Sequence, residues 1–435
     1  DTRKDEQARQ ISIKSTLASL VLKAQSSTTG TSKGASSSSS SSSSKLKSYM
    51  FHVLDTPGHI DFLDETEASI RLADGVMIVV DAIEGVMLTT DRIIQSCIKN
   101  NLSITLCINK IDRLILELKI PPLDAYYKMK NIIDEMNMLI DNYSYGTYSR
   151  DVDGNVNDSD SSNKKYKKLS PELGNVCFSS GIHGWSFTLE SFAIKYCDTY
   201  PNTKFNSIDF SKRLWGDWYY DDNNSKITKI KGKSNYTGTT FVRTFIKYVL
   251  DPIYKLYSHV LGDEPEILIQ SLKNELNMKD FTLKDVSIDP KPLLRKIMKK
   301  FFGPPYGMTN MFVKHIPSPI EANYKRIVKS YSGPLPSPQD KNSNSGNGNG
   351  SGSAVEAMIE CNSDGPLVIH VTKLINSPDG KTFYSLGRIY SGKIINNGKH
   401  NVRILGEDYC NINNKEDQAQ AVIDNISISC ARFSI

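Results

Sequence analysis

Four short apolar runs, Tyr49–Leu54, Val76–Asp81, Ser103–Ile108 and Asn175–Phe178, alternate with segments whose apolar residues recur at helical spacing. Runs this short, bounded by polar turns, read as strands buried on both faces, as in a parallel sheet. Between them, Phe62–Leu72, Thr90–Lys99 and Pro122–Leu139 each gather apolar residues on one side, for example Ile93, Ile94, Cys97 and Ile98. That order predicts an α/β fold. It also places functional loops at the carboxyl ends of the strands, where open α/β sheets bind ligands.

At 435 residues the chain exceeds what one core usually organises. The pattern changes accordingly. After about residue 200 it predicts longer helices, Thr240–Leu261 and Pro290–Phe302, around the aromatic stretch RLWGDWYY (Arg213–Tyr220). From about Met311, the runs LVIHVTKL, FYSLGRIYSGKI and HNVRIL with NNG and PDG turns predict an all-β barrel or sandwich. The expected units are 1–200 (α/β), 201–310 (a helical, aromatic extension) and 311–435 (β-barrel). Three low-complexity tracts, about 25–44, 151–168 and 335–353, read as disordered inserts, since they bury too little apolar surface to offset ordering entropy.

The charge of +5 permits contact with nucleic acid without arguing for it. The basic KKYKK (Lys164–Lys168) reads as a solvated part of an insert, and Trp215, Trp218, Tyr219 and Tyr220 read as local packing. Seven cysteines, none in a C-x-x-C pair, suit reduced core thiols rather than zinc. No apolar run is long enough to span a bilayer, so no membrane partner is expected. The opening DTRKDEQARQ is charged and lacks an initiator Met, so the chain is read as a fragment.

Two polar motifs follow predicted strands. The first is Asp55-Thr56-Pro57-Gly58-His59, where Gly58 leaves room for a backbone N–H to approach a ligand. By itself this also suits a plain turn. The second is Asn109-Lys110-Ile111-Asp112. A carboxylate at Asp112 matches the paired N–H donors on the Watson–Crick edge of guanine, which adenine lacks. Asn109 is placed to bridge neighbouring loops and base, and the Lys110 stem to lie along the ring. Together the two motifs predict a guanine-nucleotide site. A third loop, with Ser179, Ser180 and Gly181, is expected to close over the base. The phosphate-cradling pattern G-x-x-x-x-G-K-[ST] is absent: the sequences ending in Gly232-Lys233-Ser234 and Gly380-Lys381-Thr382 have Ile227 and Ile375 where the first Gly belongs. The phosphate loop is therefore expected before Asp1.

DTRKDEQARQISIKST, DTPGH, NKID, RLWGDWYY, HIPSP and VRILGEDY together resemble the translational GTPases, on the branch shared by the eukaryotic translocase elongation factor and the GTPase component of the U5 small nuclear ribonucleoprotein. INKIDRLILELKIPPLDAYYKMKNIIDEMN is similar to the spliceosomal member, while GIHGWSFTL is similar to the elongation factor. The resemblance implies a P-loop-type GTPase domain followed by a β-barrel, with GTP or GDP and Mg2+ bound in the full-length protein. It implies that Asp55 holds the hydration shell of the metal, Gly58 contacts the γ-phosphate, and His59 positions the attacking water. Asn109, Lys110 and Asp112 would read guanine. Ser12 aligns with the metal-coordinating Thr of the first switch, keeping the hydroxyl but losing the methyl that restrains its rotamer.

The implied function is a GTP-driven switch in pre-mRNA splicing in the nucleus. Its implied partners are the large scaffold protein and the RNA helicase of the U5 particle, with U5 RNA contacted directly or through proteins. A cytoplasmic ribosomal translocase and a constitutively GTP-bound scaffold remain as alternatives.

Overall fold

The computed structural model describes residues 3–25, 46–148, 166–200, 206–230, 241–274, 278, 281–331, 354–376, 380–381, 383–394, 400–406 and 416–423. The three expected inserts fall almost wholly outside them. Gln25, however, ends a strand, and Tyr166 packs against the core and donates to the Ile98 carbonyl at 3.2 Å, while Lys167 and Lys168 are exposed. Gly232-Lys233-Ser234, Thr382, Cys410 and Cys430 also lie outside the described residues.

Helix α1 (Lys4–Arg9) precedes a hairpin of β1 (Thr16–Gln25) and β2 (Leu46–Asp55). Helix α2 (Leu63–Leu72) then leads into β3 (Gly75–Asp81), α3 (Leu88–Lys99), β4 (Ser103–Asn109), α4 (Ile111–Leu116) and α5 (Pro122–Tyr148). Strands β5 (Val176–Ser180) and β6 (Trp185–Phe187) complete a sheet of order β3-β4-β5-β6, parallel except for β6. Side-chain alternation gives this sheet two covered faces. Leu106, Ile108 and Phe178 join the main core with α3 and α5, while Cys107 and Cys177 pack on Met311 from the other side.

One expectation is corrected here. The run Tyr49–Leu54 is a strand, but it pairs antiparallel with β1 and lies outside the parallel sheet. Apolarity reports a capacity for burial, not the identity of the partner. Much of β2 is exposed, with Met50 at 67%, and Phe51 rests against Phe312 with ring centroids 5.8 Å apart.

Helices α6 (Leu189–Thr199) and α7 (Ser207–Lys212) precede a three-stranded sheet of β7 (Trp218–Asp221), β8 (Lys226–Lys229) and β9 (Phe241–Arg243), in the order β8-β7-β9. The helix expected over 240–261 is interrupted. Its start is β9, then a wide π turn at Ile246–Leu250 leads into α8 (Asp251–Gly262). Pro252 explains the wide turn: it has no N–H to donate, and its ring would crowd a carbonyl one regular turn back. The aromatic stretch is packing, as expected: Trp215 is buried with its ring 4.8 Å from both Tyr126 and Phe245. Arg243 spreads over Tyr126, Tyr127 and Tyr219.

Helices α9 (Pro265–Asn274), α10 (Leu283–Val286) and α11 (Pro290–Phe302) follow. Proline at the start, Leu293, Leu294, Ile297, Met298 and Phe302 on the buried face, and Gly303 at φ 71° as the stop make α11 the helix its sequence predicts.

Around Met311 the chain is helical rather than β-rich. Met311 sits within α12 (Tyr306–His315), and α13 (Pro319–Ser330) and α14 (Ala354–Ile359) intervene before the next strand. Strands β10 (Val368–Asn376) and β11 (Phe383–Ser391) form one antiparallel ladder, and β12 (His400–Leu405) and β13 (Gln418–Ile423) another. The two ladders do not close into a barrel among the described residues. No helix there is long and apolar enough to cross a membrane.

Candidate functional site

Strands β3 and β4 run in register, so Asp81 and Asn109 end side by side and the Ala82 N–H donates to the Asn109 carbonyl at 2.9 Å. The Asn109 side-chain oxygen accepts from Ser179 Oγ and from the Gly181 N–H, each at 3.0 Å. One side chain thus ties the end of β4 to the loop after β5. Ser180 behaves differently: its hydroxyl is buried and accepts from the His183 N–H at 3.3 Å, so it braces the loop from within.

Lys110 adopts the left-handed conformation, φ 60° and ψ 35°, which bends the chain sharply between β4 and α4. A non-glycine residue held there costs about 1 kcal/mol, and such conformations concentrate at functional sites. The bend starts α4 with Ile111 turned inward, at 2% exposure, and sets Asp112, at 5%, in its first turn. Asp112 Oδ1 is buried and has no hydrogen-bond partner. A buried carboxylate oxygen without a donor is costly, so the site is poised to accept one.

Asp81 organises the other side. Its Oδ2 lies 3.1 Å from Lys110 Nζ and 2.8 Å from Arg113 Nη1, and its Oδ1 accepts from the Ile83 N–H at 2.8 Å. Burial works to raise its pKa, but these donors prevail and hold the carboxyl below the usual range. The Lys110 stem is thereby fixed at its tip. Behind the loop, His183 Nδ1 meets Tyr257 Oη at 2.8 Å, and Trp185 Nε1 donates to the same oxygen at 3.2 Å. Burial lowers the His183 pKa, with the Asp112 carboxylate pulling the other way.

The Asp55–His59 segment leaves the end of β2. Pro57 is buried, and its carbonyl accepts from Thr66 Oγ1 at 3.2 Å, which anchors the loop to α2. Asp55, Gly58 and His59 are exposed, Thr56 is half-buried, and a methyl added to Gly58 would meet nothing within 4 Å. His59 Nδ1 accepts from the Asp61 N–H at 3.2 Å, which leaves Nε2 free to face outward. Ser12 is half-buried, and no described hydrogen bond joins it to Asp55 or His59. A hydroxyl and a carboxylate are hard oxygen donors. They fit Mg2+ held largely by phosphates and waters, not a metal caged by protein, and no group of three metal-binding side chains occurs among the described residues.

The structure therefore gathers Asn109, Lys110, Asp112, Ser179 and Gly181 into one cluster, with Ile111 and Ser180 as its inner supports. It places Asp55–His59 and Ser12 on separate segments.

The Ser12 segment is tied to α2 at a residue the motifs do not single out. The Glu65 side chain, 1% exposed, takes Lys14 Nζ at 2.7 Å, the Ser15 N–H at 3.2 Å and Lys373 Nζ of β10. Asp81, Arg113, Glu65 and His183 were all missed. Asp81 had a signal, since it ends a predicted strand, much as Asp55 and Asn109 directly follow theirs. Tyr257 had none, being on a helix far along the chain.

Residues 1–276 match the family described as elongation factor Tu GTP binding domain. Among curated proteins, the pre-mRNA-splicing factor cwf10 of Schizosaccharomyces pombe is 41% identical over 90% of this chain and 35% of its own length. Two Arabidopsis thaliana proteins align over the whole chain and 38% of their own lengths. They are the 110 kDa U5 small nuclear ribonucleoprotein component CLO, 38% identical, and the 109 kDa component GFL, 37% identical. The chain spans little more than a third of each of these relatives. With more than half of its residues matched to that family, the chain belongs to the translational-type GTPases of the elongation factor Tu GTP-binding domain family.

Proposed function

We propose that the chain is the base-reading and second-switch part of a GTP-binding and GTP-hydrolysing regulatory subunit of the U5 small nuclear ribonucleoprotein. It would act in the nucleus as a conformational switch in spliceosome activation and disassembly. The observation that carries the nucleotide reading is Asp112 Oδ1, buried and without a donor in the first turn of α4, beside a loop that Asn109 holds in place. The splicing reading rests on the names of the curated relatives.

In this reading Asp112 accepts the paired N–H groups of guanine, the Lys110 stem lies along the ring, and Ser179 and Gly181 close the edge. Ser12 and, through the hydration shell, Asp55 would hold Mg2+, which would supply positive charge against the phosphate oxygens, and the Gly58 N–H would contact the γ-phosphate. His59, with Nδ1 engaged, turns Nε2 toward the attacking water and orients it. Strands β10–β13 begin a β domain that moves with the switch. The implied partners are the U5 particle's large scaffold protein and RNA helicase, with U5 RNA contacted directly or through them.

Single-turnover hydrolysis by the full-length protein tests the catalytic part. His59→Ala should slow turnover about 100-fold, the scale of losing one oriented polar group, with GTP affinity kept. Equal rates would remove His59 from catalysis. RNA recovered with the full-length protein tests the setting: U5 RNA is expected, and ribosomal RNA alone would contradict it.

A further inference from the structure

Two adjoining cavities, of about 310 and 500 Å3, open between α2, the C-terminal end of α3 and α13. They share Arg71, Asn100 and Lys329 and so form one two-lobed cleft. Its walls carry six cations, Arg71, Arg92, Lys99, Lys325, Arg326 and Lys329, against the acids Glu67, Asp74 and Glu321. Two of these acids are already committed. Asp74 pairs with Arg326 at 3.2 Å and Arg388 at 2.9 Å, and Glu321 closes the N-terminal cap of α13 on the Ser318 N–H at 2.9 Å.

Among the described residues, no carboxylate forms an ion pair with Arg71, Arg92, Lys99, Lys325 or Lys329. Lys329 turns instead to the Lys99 carbonyl and to Asn100 Oδ1. The cations also depress one another: burial and then Arg71 lower the Lys329 pKa, and burial, Arg326 and Arg71 lower that of His370, which lines the same cavity. Like charges gathered in a concavity repel, and a bound anion relieves that repulsion. A second observation points the same way. Two buried nitrogens of cavity-lining residues, Arg326 Nε on a side chain 9% exposed and His370 Nδ1, have no hydrogen-bond partner.

Guanidinium and ammonium groups without acid partners suit phosphate oxygens. The lobes have the volume of small-ligand pockets rather than of a long channel. Apart from His370, no aromatic ring lines either lobe, so the cleft offers no platform for stacked bases. We propose that this cleft binds a compact, multiply phosphorylated ligand, at a site separate from the one that reads guanine. No residue of the 55–59, 109–112 or 179–181 segments lines it. Because Arg71 belongs to the last turn of α2 while Lys325 and Arg326 belong to α13, an occupied cleft ties these two helices together.

Calorimetric titration of the full-length protein with sodium tripolyphosphate tests this. The protein is first saturated with GDP, so that the base site and the α- and β-phosphate positions of the nucleotide are filled. One further equivalent should bind, and Arg71→Gln/Lys325→Gln should weaken it at least tenfold while GDP affinity stays the same. No binding to the saturated protein, or equal affinity in the double variant, would overturn the site. Inorganic phosphate binding as tightly as tripolyphosphate would overturn the multiply phosphorylated assignment. A uridine-rich oligonucleotide that binds more tightly than tripolyphosphate, and is weakened equally by the variant, would replace the compact ligand with a nucleic-acid strand.

Discussion

At the scale of residues, three positions define the candidate base site by different physics. Asn109 works by valence: one carbonyl oxygen accepts two donors from a loop 70 residues away in sequence. Lys110 works by backbone conformation, and Asp112 by the lack of a donor. The motif could be read from sequence because these residue types are few and follow a strand. The bend at Lys110 and the isolation of Asp112 could not, since both depend on tertiary neighbours. His183 yields a pH prediction. With its folded pKa below the unfolded value, its contribution is complete above the ordinary histidine range, near 6.5, and is lost as pH falls through that range toward the folded pKa. Burial lowers His315 and His370 in the same direction, so the comparison must be made against His183→Gln. Denaturant midpoints measured between about pH 7 and 5 should fall less steeply in that variant than in the parent. Parallel slopes would contradict the assignment.

Elements that follow their own periodicity were legible. Helix α11 announces itself through proline, apolar stripe and glycine, and the strands of the parallel sheet through unbroken apolar runs. What escaped was partner choice and interruption: β2 left the parallel sheet, and Pro252 converted a helical run into a π turn. The role of α2 is likewise invisible in its sequence. Near its start, buried Glu65 draws in Lys14 and Lys373, and at its end Arg388 and Arg326 donate to the carbonyls of Leu72, Arg71 and Ala73. Guanidinium groups at a helix C-terminus satisfy its free carbonyls and complement its dipole. The helix that follows Asp55–His59 is therefore held by residues from α13, β10 and β11. Removing Glu65 leaves Lys373, 16% exposed, without its counter-charge. Glu65→Ala should lower unfolding stability by about 3 kcal/mol, as for breaking a buried pair. Lys14→Ala, whose side chain is 47% exposed, should cost less than about 1 kcal/mol. Urea unfolding checks the order of these effects, and equal losses would refute the buried hub.

For the whole molecule, the organising fact is one continuous core from Ile78 in β3 to Phe302 in α11, which unites the parallel sheet with the helical region after residue 200. The second face of that sheet is sealed by Met311. The change in sequence texture near residue 200 reflects a change of element type, not a break in packing. Local stability should follow this burial. Hydrogen exchange should be slowest in β4, β5 and α5, and faster in β1–β2 and in β12–β13, where Ile404 and Val422 are about half exposed. Uniform protection would contradict it. Under the proposed function, this scaffold presents a guanine-reading carboxylate in the first turn of α4, just past β4. The most direct test is nucleotide competition on the full-length protein with Asp112→Asn. Preference should move from guanosine toward xanthosine nucleotides, because an amide there can donate to the base oxygen that replaces the amino group; an unchanged preference for guanosine would rule out Asp112 as the base reader.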